Sequence, residues 1–244
     1  VAVSLEHERA LWDAGACIIA GIDEVGRGAL AGPVTVGLCA VSRCSTWPEG
    51  LADSKRLSAP RRTRMVAALA EHRENDHSPA GFGLARVVAH SSAEEIDDLG
   101  IVGALRLAGM RGLAQLQAMD VDVDAVLLDG KHDWLTLPEP DLFASVEPET
   151  TAASALYPKV AVPPVTMVIK GDDLCASIAA ASIGAKVERD SIMTQAHGQH
   201  PEYGWSGNKG YGAAGHLDAL RRLGATPWHR RSWNLPAHTP GMAS

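Results

Sequence analysis

Asp23 and Glu24 close an apolar run, Cys17-Ile18-Ile19-Ala20-Gly21-Ile22, and are followed by Gly26-Arg27-Gly28. Two acids at the end of a buried strand are costly unless a cation compensates them. The Gly-Arg-Gly loop offers a bare backbone that can approach a ligand closely, beside a guanidinium. Two further acids follow short apolar runs: Asp129 after Ala125-Val126-Leu127-Leu128, and Asp172 after the run from Val165 to Ile169 and Lys170-Gly171. Carboxylates are ligands for hard divalent cations. Phosphodiester hydrolysis needs an activated water, a stabilised leaving oxygen and neutralised charge, and two Mg²⁺ ions about 3.5–4 Å apart supply all three. Four acids beside exposed amides and an arginine therefore point to metal-assisted phosphate chemistry. Neighbouring strand residues face opposite ways. Either the strand is distorted at Asp23-Glu24, or Glu24 contributes differently from Asp23.

The elements that must position these acids can be read from the apolar pattern. Residues 17–23 read as a buried strand, Val34 to Val41 as a second after the Gly32-Pro33 break, and Gly81 to Val88 as a third. Pro60 to Arg73 reads as a helix with proline in its first turn. Ser92 and Glu95 form a capping box opening a short helix. Ile101 to Met119 follows as a longer helix with Leu105, Ala108, Gly112 and Leu116 on one stripe. Strands at 125–128 and 165–169 enclose a proline-rich irregular excursion from Lys131 to Pro164. Ala176 to Met193 is a helix rich in alanine and serine, whose small residues suit close packing. Gly184 inside it costs up to about 1 kcal/mol relative to Ala and is expected to provide packing room. A glycine-rich loop, Tyr203 to Gly212, precedes a helix from Ala213 to Leu223. The pattern is an α/β mixed sheet, with the acids at or near strand ends, where sites collect in such sheets.

Length and composition bound the answer. The 244 residues, 46% hydrophobic, suffice for one large domain or a domain with an appended piece. No apolar run approaches the roughly 18 residues of a membrane helix, and no membrane partner is expected. The four cysteines, Cys17, Cys39, Cys44 and Cys175, show no paired spacing. Cys17 and Cys39 read as buried thiols, a zinc site is not expected, and a reducing cytoplasmic setting is the simplest one. The net charge of −7 opposes a nucleic-acid partner at first sight. From Trp205 onward, however, five Lys/Arg face the single acid Asp218, and local charge decides where a phosphate backbone docks.

Each motif also has a plainer reading. Taken alone, Asp23-Glu24 is an ordinary acid pair, Asp129-Gly130 a turn and Gly26-Arg27-Gly28 any tight loop. Gly26-x-Gly28-x-x-x-Gly32 has one residue too many for a dinucleotide fingerprint. Asp173 is expected to cap the following helix, with Asp172 the metal ligand, and Asp190 reads as structural. Lys186 reads as a solvated charge, whereas Lys55 is the better candidate for a phosphate contact. His216, His229, Tyr203 and Trp205 read as packing or anchoring residues. Arg230-Arg231 suits a solvated end and a nucleic-acid backbone contact equally well.

Together, five blocks resemble ribonuclease HII, in the family's order and across residues 17–233. They are Gly21-Ile-Asp-Glu-Val-Gly-Arg-Gly-Ala-Leu-Ala-Gly-Pro-Val34, Asp53-Ser-Lys-Arg-Leu-Ser58, Leu128-Asp-Gly130, Lys170-Gly-Asp172 through Ser177 to Asp190, and His200-Pro-Glu-Tyr-Gly-Trp-Ser-Gly-Asn-Lys-Gly-Tyr-Gly212 followed by His216 and His229-Arg-Arg-Ser232. The resemblance implies a ribonuclease H-like mixed sheet flanked by helices, with a catalytic domain over 1–195 and a small C-terminal helical region over 196–244 that contributes to the substrate cleft. It implies a Mg²⁺- or Mn²⁺-dependent endoribonuclease. Its substrates would be RNA–DNA hybrids and duplex DNA with embedded ribonucleotides, cut on the 5′ side of the ribonucleotide to leave 3′-hydroxyl and 5′-phosphate ends. The family's catalytic and metal-binding acids map onto Asp23, Glu24, Asp129 and Asp172. Its 2′-hydroxyl-reading loop maps onto Gly26, Arg27 and Gly28, and its junction-sensing tyrosine onto Tyr211. The pattern departs at Gly184, Ala213 and Trp233 and in the long segment before Asp172, none of which removes a catalytic group. A monomer satisfies all of this. The competing readings are a junction resolvase on the same fold, indifferent to the 2′-hydroxyl, and a hybrid-binding module without turnover, which the intact acid set opposes.

Overall fold

Alternating apolar stretches build a five-stranded sheet in the order β3-β2-β1-β4-β5. The computed structural model describes residues 3–72, 82–137 and 156–239. The strands are β1 (Ile18–Val25), β2 (Val34–Ser42), β3 (Ala85–Ser91), β4 (Ala125–Asp129) and β5 (Val165–Val168). β1 pairs antiparallel with β2 and β2 with β3, whereas β1–β4 and β4–β5 are parallel. The carboxyl ends of β1, β4 and β5 therefore emerge side by side, on either side of the point where the chain switches direction of progress across the sheet.

The period-2 alternation assigns each face. Ala20, Ile22, Val126 and Leu128 pack with Leu105, Ala108 and Leu116 of helix α3 (Ala93–Gln117). Ile19, Leu127 and Val168 pack on the other face with Ile178, Ala179 and Ile183 of helix α5 (Ala176–Gln199). Helix α2 (Ala59–Glu71) lies against α5 through Met65 and Leu69. The small residues of α5 let it sit directly on the sheet: a Cβ at Gly21 would collide with the Ser177 backbone, and one at Gly37 with the Ala181 carbonyl.

The expected short and long helices after Ser92 are both present, joined through Gly100 at φ 67°, ψ 167°. The capping box forms as read, with Glu95 N–H donating to Ser92 Oγ at 3.1 Å and Ser92 N–H to Glu95 Oε2 at 2.8 Å. Arg73 and Gly81, the expected limits of the second helix and third strand, lie outside the described residues, as does part of the 131–164 excursion.

Several expectations are corrected. Helix α1 (Glu6–Asp13) was not foreseen; it carries Glu8, whose fully buried carboxylate accepts from Ser177 N–H at 2.9 Å and Ser177 Oγ at 2.7 Å. A remote carboxylate thus serves the first turn of α5, where the helix dipole favours it. Cys17 is exposed, because the chain enters β1 only at Ile18; Cys39 is buried. Asp173 caps nothing: it pairs with Arg56 at 2.6 Å, and the α5 N-cap is Cys175. Gly184 provides no packing room, because an added Cβ would meet only Val88 Cγ2, at an ordinary 3.5 Å. Gly184→Ala is therefore expected to stabilise the protein by about 0.5–1 kcal/mol, read as a higher urea midpoint with unchanged slope. A lower midpoint would show that the groove beside Val88 must stay open.

Three further helices follow: α4 (Gly171–Leu174) precedes α5, and α6 (Trp205–Asn208) and α7 (Ala214–Leu223) come after it. Helix α5 runs through the expected boundary at 195 to Gln199. A third apolar cluster joins Ala31 and Met193 to Tyr203, Trp205, Ala219 and Leu220. Among the described residues, no helix is long and apolar enough to cross a membrane.

Candidate active site

β1 stays a strand through Val25, so Asp23 and Glu24 leave the backbone on opposite faces, but Glu24 stands near the strand's end, where its carboxylate feels the charge of Asp129 and acts on Asp23. Ile22 stands opposite Leu128 in the parallel β1–β4 register, which puts Asp23 beside Asp129 at the ends of neighbouring strands, about 4.8 Å apart in their backbones. Asp129 in turn stands opposite Val168. Asp172 follows in the turn after β5, which is led by Lys170 in the left-handed conformation at φ 58°. Three acids from distant parts of the chain thus gather at the carboxyl ends of β1, β4 and β5.

Burial and mutual repulsion govern their charge. Asp23 is 4% exposed and Asp172 5%. Burial, then the charges of Glu24, Asp129 and Asp172, push Asp23 well above the usual carboxylate range, partly offset by a hydrogen bond from Ser182. Burial and Asp172 raise Asp129, against donation from Gly171 N–H to Oδ1 at 2.6 Å. Burial also raises Glu24, opposed by Arg27, whose guanidinium donates to Oε1 at 3.3 Å.

Lys55 is the cation that enters this acidic field. Asp53, itself buried, accepts from Lys55 N–H at 2.8 Å and so caps the 3-10 turn Ser54–Arg56. The turn delivers Lys55 Nζ to Asp172 Oδ2 at 3.0 Å. Burial lowers the lysine's proton affinity, but Asp172 and then Asp23 and Asp53 outweigh it, and the net shift is upward. Ser54 Oγ lies 2.9 Å from Ser182 Oγ, and with the Ser182 proton on Asp23 it is Ser54 that donates, joining the turn to α5 below Asp23.

Among the described residues, no three His, Cys, Asp or Glu side chains stand in an arrangement that would already hold an ion. The carboxylates are neighbours in charge, with oxygens turned to Lys55, Gly171 N–H and Glu24 N–H, rather than ligands of a common point. The donor set nevertheless fits a hard divalent cation. It is all oxygen and self-repelling, Asp23 and Asp172 are buried and Glu24 and Asp129 half-buried, and Glu24 Oε2 is enclosed with no hydrogen-bond partner.

Gly26, Arg27 and Gly28 form the turn leaving β1. Gly26 has φ +83°, and a Cβ there would strike the Arg189 guanidinium. Gly28 is open, with no atom within 4 Å of where a Cβ would stand, and Arg27 is exposed. Tyr211 sits nearby, 39% exposed, with the Arg189 guanidinium 5.6 Å from its ring centroid. Leu30 N–H donates to Gly210 O at 2.8 Å, tying the tyrosine's segment to this loop.

Two arginines hold the loop, one with no role assigned from the sequence and one, Arg230, expected at a solvated end or on a nucleic-acid backbone. Arg189, fully buried on α5, donates to Pro33 O at 2.9 Å, Lys209 O at 3.0 Å and Ala31 O at 3.2 Å. Arg230, also fully buried, donates to Gly26 O at 2.6 Å, Arg27 O at 2.8 Å and Gly32 O at 3.1 Å. Arg230 is thus neither a solvated end nor a backbone contact for a ligand; Arg231 is exposed. A signal for Arg189 was present, since it continues the apolar stripe Ala185, Met193, Ala196 of α5. Lys186 is likewise not a free surface charge: it pairs with Asp190 at 2.7 Å, and Arg62 reaches the same carboxylate at 3.6 Å. Tyr203 and Trp205 are buried and stacked at 5.2 Å, and His216 and His229 are buried beside them.

Comparison with known proteins adds to this geometry. The family model described as ribonuclease HII matches residues 20–235. A ribonuclease HII of Streptomyces avermitilis is 42% identical over 90% of this chain and 78% of its own. One of Cereibacter sphaeroides is 42% identical over 95% of this chain and 91% of its own. The crystal structure of the ribonuclease H2 from Pyrococcus horikoshii OT3 shares the fold, with a TM-score of 0.59 and 21% identity over 89% of this chain and 94% of that one.

Proposed function

The chain belongs to the ribonuclease HII family, and from that premise we propose which bond it cuts and with which residues. The family makes it an endoribonuclease, a hydrolase of the RNA strand in RNA–DNA hybrids. The finer reading is cleavage on the 5′ side of a ribonucleotide, including a single one embedded in duplex DNA, leaving 3′-hydroxyl and 5′-phosphate ends. The observation that supports it best is the gathering of Asp23, Asp129 and Asp172 beside the Gly26–Gly28 turn and Tyr211.

In this reading Asp23, Glu24, Asp129 and Asp172 hold Mg²⁺ or Mn²⁺. The bound ions would supply an activated water and charge neutralisation at the phosphate. Lys55, paired with Asp172 on an exposed stem, would be free to meet a phosphate oxygen. Gly26, Arg27 and Gly28 meet the ribose 2′-hydroxyl, the one group that separates RNA from DNA at a given position. Their carbonyls at Gly26 and Arg27 are turned inward to Arg230, which leaves the open side of Gly28 to face the sugar. Tyr211 packs on the adjoining sugar and rejects a wrong junction by shape. The binding surface is a duplex, with no membrane role, and one copy of the chain carries every named group.

The test is a duplex carrying one ribonucleotide, incubated with Mg²⁺ or Mn²⁺, with the cut mapped at nucleotide resolution. A single cut 5′ to the ribonucleotide, absent from the all-DNA duplex, is expected. Equal cutting of both duplexes would defeat the 2′-hydroxyl reading. Tyr211→Ala is expected to slow that cut by about tenfold or more, with a smaller loss on a continuous hybrid. Equal losses on both substrates would remove the tyrosine from junction sensing.

A further inference from the structure

The Tyr211 backbone is held by a buried pair of histidines that the reaction does not use. His216 Nδ1 lies 2.9 Å from Tyr211 O, and His216 Nε2 lies 3.0 Å from His229 Nε2. Trp205 Nε1–H also reaches His216 Nε2, at 3.2 Å. At the far end Thr226 N–H donates to His229 Nδ1 at 2.9 Å. Both imidazoles are essentially without exposed surface.

The two ends of this chain decide the tautomers. Tyr211 O can only accept, so His216 carries its proton on Nδ1 and leaves Nε2 free to accept. Thr226 N–H can only donate, so His229 accepts at Nδ1 and carries its proton on Nε2, aimed at His216. With both rings neutral, only this arrangement turns every donor toward an acceptor, His216 Nε2 sharing its one lone pair between Trp205 and His229. A second proton on His216 would set donor against donor at Trp205 and His229, and one on His229 would do so at Thr226. Burial accordingly holds both histidines below their ordinary range, His229 at about 4, with His216, His200 and Arg231 the further groups that act on it.

The relay ends on the segment that matters for recognition. Gly210 O accepts from Leu30 and Ala31 N–H, and Tyr211 N–H donates to Asn208 O at 3.0 Å. Tyr211 O accepts from Ala213 N–H at 2.8 Å as well as from His216, and the buried His216 bond adds the side-chain restraint that ties this carbonyl to α7 and so sets the direction from which the ring meets the Gly26–Gly28 turn. We propose that His216 and His229 are positioning residues for junction recognition: a neutral, tautomer-locked pair that holds Tyr211 in the pose that distinguishes a single embedded ribonucleotide from a continuous hybrid. This rests on the reading of Tyr211 given above.

The test compares kcat/KM on two duplexes of equal length, one with a single ribonucleotide and one a continuous RNA–DNA hybrid, and reads their ratio. In His216→Gln the amide reaches the Nε2 position, and the side-chain donor to Tyr211 O is lost, leaving Ala213 N–H alone on that carbonyl. In His216→Asn the amide replaces Nδ1–H and that donor is kept. The ratio is expected to fall about tenfold or more in His216→Gln and to stay near wild type in His216→Asn. His229→Gln, which retains a donor toward His216, should behave like His216→Asn. Equal changes in the Gln and Asn variants would mean that His216 only stabilises the fold, and would overturn the proposal. Tyr211→Ala separates the two layers. If it lowers the ratio while His216→Gln does not, the positioning role falls and the tyrosine's role stands. If Tyr211→Ala leaves the ratio unchanged, the tyrosine's role falls and the proposal with it. Should His216→Gln not fold, imidazole ¹⁵N spectra of the wild-type chain decide: protons on His216 Nδ1 and His229 Nε2 are expected, and a proton on His216 Nε2 overturns the relay.

Discussion

Asp129→Asn is expected to leave a folded protein whose turnover is lower by about 10³-fold or more, the scale of several kcal/mol of lost charge stabilisation. The amide keeps the shape and can still accept from Gly171 N–H, so β4 and the turn after β5 should be undisturbed. What goes is one charge from a set that already repels itself. Burial holds Asp23, Glu24 and Asp129 above the ordinary carboxylate range. In the metal-free protein the folded state therefore keeps protons that the unfolded state has lost. By linkage, stability falls as pH rises from about 4 through the raised folded values. Asp129→Asn should flatten that slope, raise the melting temperature in chelator at pH 8, and lose most of the further rise that Mg²⁺ or Mn²⁺ gives the wild type. Thermal melts with chelator and with metal, beside a turnover assay, read all three. Undiminished turnover in the folded variant would remove Asp129 from the metal set.

Arg230→Met should cost about 3–5 kcal/mol of folding free energy. The guanidinium is fully buried, and among the described residues it has no carboxylate partner. Its donors go to the Gly26, Arg27 and Gly32 carbonyls, and its face lies 4.9 Å from the Trp233 ring centroid. Burial and then Arg189 lower its pKa to about 9, still far enough above neutrality to keep the charge. Methionine fills much of the volume but leaves the Gly32 carbonyl without its donor, the Gly26 carbonyl with Ala29 N–H alone, and the Arg27 carbonyl to water. Arg230→Lys should recover less than half of the loss, because one ammonium cannot reproduce the planar fork. Urea unfolding measures both. A methionine variant as stable as wild type would show that the turn after β1 is held by its own backbone and by Arg189.

The parts of the site that were legible in the sequence are those carried by local patterns. Asp23 and Asp129 each follow an apolar run directly and Asp172 follows one by a few residues, and a strand end in an α/β sheet is where sites gather. The capping box at Ser92 and Glu95 is a contact between residues three apart, so it formed as read. Lys55 was legible as a cation near a motif, but its partner Asp172 lies 117 residues away. Asp173 was misread for the same reason: a helix cap is the local choice for an aspartate, and Arg56 is a distant competitor that wins. Gly184 was misread because the cost of glycine in a helix is visible along the chain, whereas the open space beside it is a property of the packed fold.

Residue types and spacing pointed by themselves to metal-assisted phosphate chemistry, through acids at or near strand ends and a glycine turn, and the order of the motifs pointed to the family. Only the tertiary structure decided the supports. Arg189 and Arg230 look like surface cations in a one-dimensional reading. They become internal braces because folding places their guanidiniums beneath the open carbonyls of residues 26–33. The His216–His229 pair is likewise no motif; its meaning comes from two chain segments whose hydrogen-bonding ends admit a single set of protons. Local patterns record what a residue can do, whereas burial and distant partners settle what it must do.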